Sequence, residues 1–269
     1  MFRVNKTKRR TEMKKFLALV LALTMVFAFA ACGSDNKDNK GNDAVDDTKG
    51  EGVMTYAEYA AAENESEVVI EAYVQAKQSW WDNKASVYTQ DKDGAYFVYN
   101  MTCSEEDYNK LEPGTKIKVT GHKTEWAGEV EIAEGATFEI VEGGDKFIAE
   151  AKDVTALLGT DELIKSMNQF VSFKGMTVEA SKDADGNDAA FLYNYDGSGQ
   201  EGTDSDLYFN VSKDGKTYTF VIEYYLCNET TDAYKAVQNL KIGDTIDLEG
   251  FLYWYEGVNP HITSVKTAA

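Results

Sequence analysis

The sequence predicts a mainly β fold built from two tandem copies of one small five-stranded unit, each preceded by a short helix. The first observation behind this is an internal repeat: "DYNKLEPGTKIKVTGHKTEWAG" (107–128) lies beside "DAYKAVQNLKIGDTIDLEGFLYWYEG" (232–257). In both, a Tyr in a short helical turn leads through Leu, Gly and Thr into an alternating run, which ends at Gly121 or Gly250. Upstream, "AYFVYNMTCSEEDY" matches "TFVIEYYLCNETTDAY", placing Cys103 opposite Cys227, and "EVVIEAYVQA" matches "FVSFKGMTVEA". Repeats of this kind have to be found before anything else is assigned. The second observation is period-two alternation: Ile117/Val119 and Ile246/Leu248 face inward while Lys116/Lys118 and Thr245/Asp247 face out. The third is the turn chemistry. "DKDG" (91–94) and "KDG" (213–215) end in a Gly free to take positive φ, as hairpins require.

Each element follows in order. "TYAEYAAAE" opens with Thr55 and Glu58 in capping-box spacing and predicts a helix. "EVVIEAYVQA", "ASVYTQ" and "AYFVYNM" give three strands, "SEEDYNK" a helix, and "TKIKVTG" and the following hairpin two more strands. "KDVTALLGTDELIKSMNQF" predicts one or two helical turns broken at Gly159, after which the order repeats. Tyr56, Tyr59, Leu157, Leu158, Leu163 and Ile164 are then expected to plug the barrel ends. Five strands with a helix between the third and fourth, and Gly-(Thr/Asp)-x-Ile-x-Val-x-Gly entering the fourth, resemble the OB-fold, a Greek-key barrel. The resemblance covers most of 66–141 and 170–266 and implies binding through the face of strands two and three and the adjoining loops.

The first thirty-odd residues read as a targeting segment rather than as fold. A basic start, "MFRVNKTKRRTEMKKF", is followed by "LALVLALTMVFAFAA", too short for a comfortable membrane span. Ala30 and Ala31 before Cys32, then Gly33 and Ser34, resemble the lipobox of bacterial lipoproteins, with Phe29 where Leu is usual. The resemblance implies that Cys32 is lipidated and becomes the mature N-terminus. Two acyl chains give stable anchoring, so the protein is expected on the outer, extracytoplasmic face of the cell membrane. Met13 opens a complete signal by itself, so either Met1 or Met13 serves as the start. The expected organisation is a signal peptide over 1–31, a disordered acidic tether over 32–52, a first barrel over 53–143 and a second over 147–269. The tether is polar and almost free of hydrophobes, which leaves it nothing to bury.

The formal net charge is -19. Removal of a signal with seven Lys/Arg and one Glu makes the mature chain more acidic still. Such a surface repels phosphate backbones and welcomes cations. With Cys32 lipidated, Cys103 and Cys227 stand at equivalent places of two domains, where bridging is unexpected, and both are read as buried free thiols.

Catalytic chemistry finds little footing. His122 and His261 lie at non-equivalent places without ligand spacing, and there is no Gly-rich phosphate loop, Gly-x-Ser-x-Gly or His-Glu-x-x-His. The chain is therefore read as a non-enzyme without a cofactor, calcium excepted. Asp183, Asp185, Asn187 and Asp188 around Gly186 resemble the opening of a Ca²⁺ loop, with Asn194 where the closing Glu would stand; an Asp/Asn/Gly-rich turn has the same appearance.

Aromatic residues carry the remaining signal. Trp80 and Trp81 fall in the loop from the first strand to the second, one of the places where OB barrels bind ligands. With Tyr88 and Tyr96 they form the candidate site of the first barrel, and Tyr193, Tyr195 and Trp254 that of the second. Domain packing and barrel-end plugging are the structural alternatives for each ring. The leading functional reading is a surface-anchored, non-catalytic binding or scaffolding module for an extracellular carbohydrate, peptide or protein. Single-stranded nucleic-acid binding is the alternative, resting on Lys77, Lys84, Lys92, Lys116, Lys118 and Lys123 of the first barrel. A purely structural envelope subunit is the third.

Overall fold

The computed structural model describes residues 48–143 and 145–267. The expected signal peptide, Cys32 and the tether up to residue 47 lie outside them. The first barrel comprises α1 (Tyr56–Ala61), β1 (Glu67–Lys77), β2 (Lys84–Gln90), β3 (Ala95–Thr102), α2 (Glu105–Lys110), β4 (Lys116–Trp126), β5 (Glu129–Ile132) and β6 (Thr137–Ile140). After a linker come β7 (Lys152–Asp153), two 3₁₀ turns at Thr155–Leu157 and Leu163–Ser166, β8 (Phe170–Glu179), β9 (Ser181–Lys182), β10 (Asp188–Ala189) and β11 (Leu192–Tyr193). The second barrel then continues with β12 (Leu207–Lys213), β13 (Lys216–Ile222), α3 (Asp232–Gln238), β14 (Thr245–Phe251) and β15 (His261–Thr267).

The two copies close in the same way. In the first, the order is β1-β2-β3-β5-β4, and β4 pairs back onto β1. In the second, it is β8-β12-β13-β15-β14, with β14 pairing back onto β8 and β12 closing on the other side. Third and fifth strands run parallel in both, Phe97 opposite Glu131 and Val221 opposite His261. This is the five-stranded OB barrel, with β6, β7 and β11 added outside the closed rings. Inward residues of β1 (Val68, Ile70, Ala72, Val74), β4 (Ile117, Val119) and β3 (Tyr96, Val98) fill the first core. Phe173, Phe209, Phe220, Ile246 and Leu248 fill the second. Thr55 caps α1 with the reciprocal Glu58 bond of a capping box, and Tyr59 drops into the first core. Leu163 is buried in the second core, whereas Ile164, expected to plug a barrel end, is exposed. Cys103 and Cys227 are free and buried.

The repeated glycine has a steric reason. A Cβ at Gly250 would lie 2.2 Å from the His261 carbonyl oxygen, and one at Gly121 would lie 2.6 Å from Ile132 Cγ2. Both sit where the long fourth strand bends across the fifth, and at Gly250 the register shifts by a bulge. Gly250→Ala is expected to cost about 3 kcal/mol or more, since backbone rather than a movable side chain obstructs it. Chemical denaturation measures this.

One part of the expected tether is ordered. Lys49 donates to the Asp91 carboxylate at 2.8 Å and to the Glu71 carbonyl at 3.0 Å, and the Asp91 side chain is fully buried. Asp91 also accepts from the backbone N–H groups of Asp93 and Gly94 and from the Tyr96 hydroxyl. The incoming chain is thus held at the β2–β3 turn, the opposite end of β2 from Trp81.

The barrels are joined through an apolar contact that covers the outer face of β2 and β3. Tyr88 stacks on Phe251 with ring centroids 4.3 Å apart, and its hydroxyl meets His261 Nδ1 at 2.7 Å. Phe97 packs edge-on against Tyr253, and Phe170 supports Phe251 at a tilt from within the second barrel. The linker straps β1: Phe147 covers Tyr73, while the Gln75 side chain accepts from Ala149 N–H and donates to the Phe147 carbonyl.

Beside this contact lies a buried carboxyl. Glu129 is inaccessible to solvent and accepts from the Trp254 backbone N–H at 2.9 Å, but its Oε1 has no partner. The Asn168 side chain stands next to it, donating to the Val130 carbonyl while its own Oδ1 is also unpartnered. Burial pushes the Glu129 carboxyl up to about 8, and that of Glu131 on the same strand up to about 7. A protonated Glu129 carries no buried charge and keeps an oxygen for the Trp254 N–H.

Candidate functional site

At the junction of the barrels, next to the apolar contact, a cleft of about 500 Å³ opens to solvent. Its walls come from the β1–β2 loop (Gln78, Ser79, Trp81), from β2 and β3 (Ser86, Tyr99, Asn100) and from the segment after β13 (Glu223, Tyr225).

Local structure explains why Trp81 points outward. Trp81 and Lys84 exchange backbone hydrogen bonds across Asp82 and Asn83, which take φ of 47° and 58°. Two consecutive positive φ values define a type I′ turn, for which Asp and Asn are suited. The turn projects Trp81 into solvent, where it is 56% exposed. Trp80, its neighbour, faces the other way: its indole N–H donates to the Cys103 carbonyl at 2.8 Å, and its ring is half-buried. One tryptophan is therefore a pin and the other a free ring. Lys84 Nζ lies 5.3 Å from the Trp81 ring and is held by Glu134 at 2.6 Å.

Across the cleft, the Ser79 N–H donates to the Tyr225 carbonyl at 2.7 Å, and Gln78 Nε2 donates to Glu223 Oε2 at 3.0 Å. These bonds tie the loop of one barrel to the other and leave the rings of Tyr225 (51% exposed) and Tyr99 (41%) facing solvent. Glu223 Oε1 accepts from the Tyr225 N–H. Burial, then the nearby Asp206, pushes the Glu223 carboxyl up to about 7. Asn100 has a φ of 44°, and its N–H donates to Ser86 Oγ, fixing the polar floor. The cleft thus offers three separated aromatic rings around hydroxyl, amide and carboxyl groups, the composition of a small-molecule site.

The structure corrects several expected site residues. Tyr88 is fully buried because the second barrel lies over it, and Tyr96 because it points into the first core, where it packs edge-on against Tyr56 and Tyr59. Neither is accessible to a ligand. Tyr193 is half-buried against the second core and its hydroxyl accepts from Gln238. Trp254 is half-buried at the junction, against Gly128. Tyr195 is 75% exposed but lies outside the cleft, edge-on to Tyr208. Of the expected set, only Trp81 lines the cleft; Tyr99, Tyr225 and Glu223 join it from segments that the strand pattern does not bring together.

At the expected calcium loop the structure shows a turn closed by its own hydrogen bonds. Asp183 Oδ1 accepts from the backbone N–H groups of Asp185 and Asn187, and Asp188 pairs with Lys182 at 2.7 Å. These are the bonds of an Asx-type turn at the tip of the β9–β10 hairpin. Among the described residues no three His, Cys, Asp or Glu side chains stand together as a metal site.

No known family profile matches the chain, and no curated protein matches it. Among solved structures, it is similar to a murine DNA-binding protein bound to double-stranded DNA, at 13% identity and a TM-score of 0.36, covering 76% of this chain and 100% of that one. It is also similar to a replication protein A heterotrimer bound to single-stranded DNA, at 12% identity and a TM-score of 0.30, covering 81% of this chain and 51% of that one. The strand order of each barrel, rather than these likenesses, assigns the fold.

Proposed function

We propose that this protein is a lipid-anchored, extracytoplasmic, non-catalytic binding module whose ligand occupies the cleft between the barrels. The observation that carries the reading is the exposure of Trp81, Tyr99 and Tyr225 around polar groups, at a junction that the fold otherwise seals with apolar contacts. The lipobox-like Cys32 supports the anchored location, and the Lys49 clamp fits it. The clamp holds the incoming chain one β2 length, roughly 20 Å, from Trp81.

Rings interleaved with amide and hydroxyl groups suit a hydroxylated ring such as a sugar. Single-stranded nucleic acid is the second reading, since bases stack on the same kind of ring, and the solved structures above are named for DNA. Charge weighs against it here. Lys84 is paired with Glu134 and Lys116 with Glu71, while Lys123 Nζ is spent on the carbonyls at the end of α1. The cleft itself carries a carboxyl.

Titration of the mature chain with a glycan panel and with oligo-dT, each at low and high salt, separates the readings. The expected result is glycan binding that changes little with salt and weakens at least tenfold in Trp81→Ala. Binding to oligo-dT that collapses as salt rises would replace it with the nucleic-acid reading. Silence toward every soluble ligand, with a protein partner captured by crosslinking on cells, would favour the scaffold.

A further inference from the structure

Resting on that cleft, we infer that its ligand bears an organic ammonium group, held between the rings of Trp81, Tyr99 and Tyr225 with the Glu223 carboxylate as counter-charge. A positive charge is attracted to an aromatic face, more strongly once desolvated, and several rings around one anion make a site for alkylated ammonium. Lys84 Nζ lies 5.3 Å from the Trp81 ring, its charge balanced by Glu134 at 2.6 Å. The three rings make no mutual stacking contact that would close the space between them, and the cleft of about 500 Å³ lies among them.

Glu223 is placed for this by bonds that leave it a charge without a cationic partner. Gln78 and the Tyr225 N–H donate to its two oxygens, and among the described residues no lysine, arginine or histidine forms an ion pair with it. The titratable groups facing it are Asp206 ahead of β12, Tyr88 on β2, Tyr208 on β12, Tyr253 after β14 and Cys227 after β13; none is cationic. The surrounding chain is itself strongly acidic.

The test compares choline with its uncharged isostere 3,3-dimethyl-1-butanol by isothermal titration of the mature chain at pH 8. Choline is expected to bind at least tenfold more tightly, with the preference lost in Glu223→Gln and binding lost in Tyr225→Ala. Choline affinity should also rise as pH is raised from 6 to 8, because the carboxylate form of Glu223 is the binding form. Tyr225 is on the surface, so its variant tests the site without threatening the fold. Equal affinity for the two probes, or no choline binding, overturns the ammonium inference. If Trp81-dependent glycan binding persists in that case, the cleft reading stands alone; if it is also absent, both fall.

Discussion

Glu129→Gln is expected to melt at a higher temperature than the natural protein at pH 8, and to lose part of the natural protein's decline in stability between pH 5 and pH 8, Glu131 and Glu223 supplying the remainder. A carboxyl whose folded value lies above its ordinary value, about 8 against 4.5 for Glu129, binds more protons folded than unfolded across that interval. Stability therefore falls as pH rises through the window, and is level above it. Glu131, up to about 7 through burial, acts in the same direction. One pKa unit corresponds to about 1.4 kcal/mol, so the decline is a few kcal/mol. Glutamine keeps an oxygen for the Trp254 N–H and is neutral, so it stands in for the protonated acid at every pH. Calorimetric melting at pH 5, 6.5 and 8 measures both slopes. A variant that is less stable at pH 8 and keeps the natural slope would show that Glu129 is not the group titrating at the junction.

The second large effect is at Phe251. Its ring is 3% exposed, stacks on Tyr88 of the first barrel and packs at a tilt against Phe170 of its own, so it holds residues of both barrels together. Phe251→Ala should cost about 3–5 kcal/mol, the usual range for a buried aromatic. It should also let the barrels separate, seen as a larger radius in small-angle scattering and as faster proteolysis at 142–146. Because Gln78 and Ser79 reach Glu223 and Tyr225 only across that junction, ligand affinity should fall with it. A cost below about 1 kcal/mol with an unchanged radius would mean that the junction is held elsewhere.

The repeat, the strand phases of β1 and β4 and the two bend glycines were legible in the sequence because each leaves a local mark: alternation, a turn residue, a residue without a side chain. The phase of β3 was not. Tyr96 and Phe97 are both buried, one in its own barrel and one beneath the other. A strand covered on both faces reads as continuously apolar, and alternation then has nothing to report. For the same reason Tyr88 read as an exposed platform, since nothing local marks it as the seat of Phe251. The asymmetry of Trp80 and Trp81 depends on the Asp82–Asn83 turn, whose residues were visible but whose register was not. Glu223 could have been suspected only from its place beside two tyrosines; its meaning comes from Gln78, 145 residues away.

The ligand is expected to meet the protein at Trp81, in the cleft, rather than at the covered face of β2 and β3. Tryptophan fluorescence of the mature chain, titrated with the glycan panel and choline, tests it most directly when natural protein, Trp80→Phe and Trp81→Phe are compared. The expected result is a ligand-induced change in the natural protein that survives in Trp80→Phe and disappears in Trp81→Phe. A change that survives in Trp81→Phe would contradict the claim and move the site to another part of the molecule.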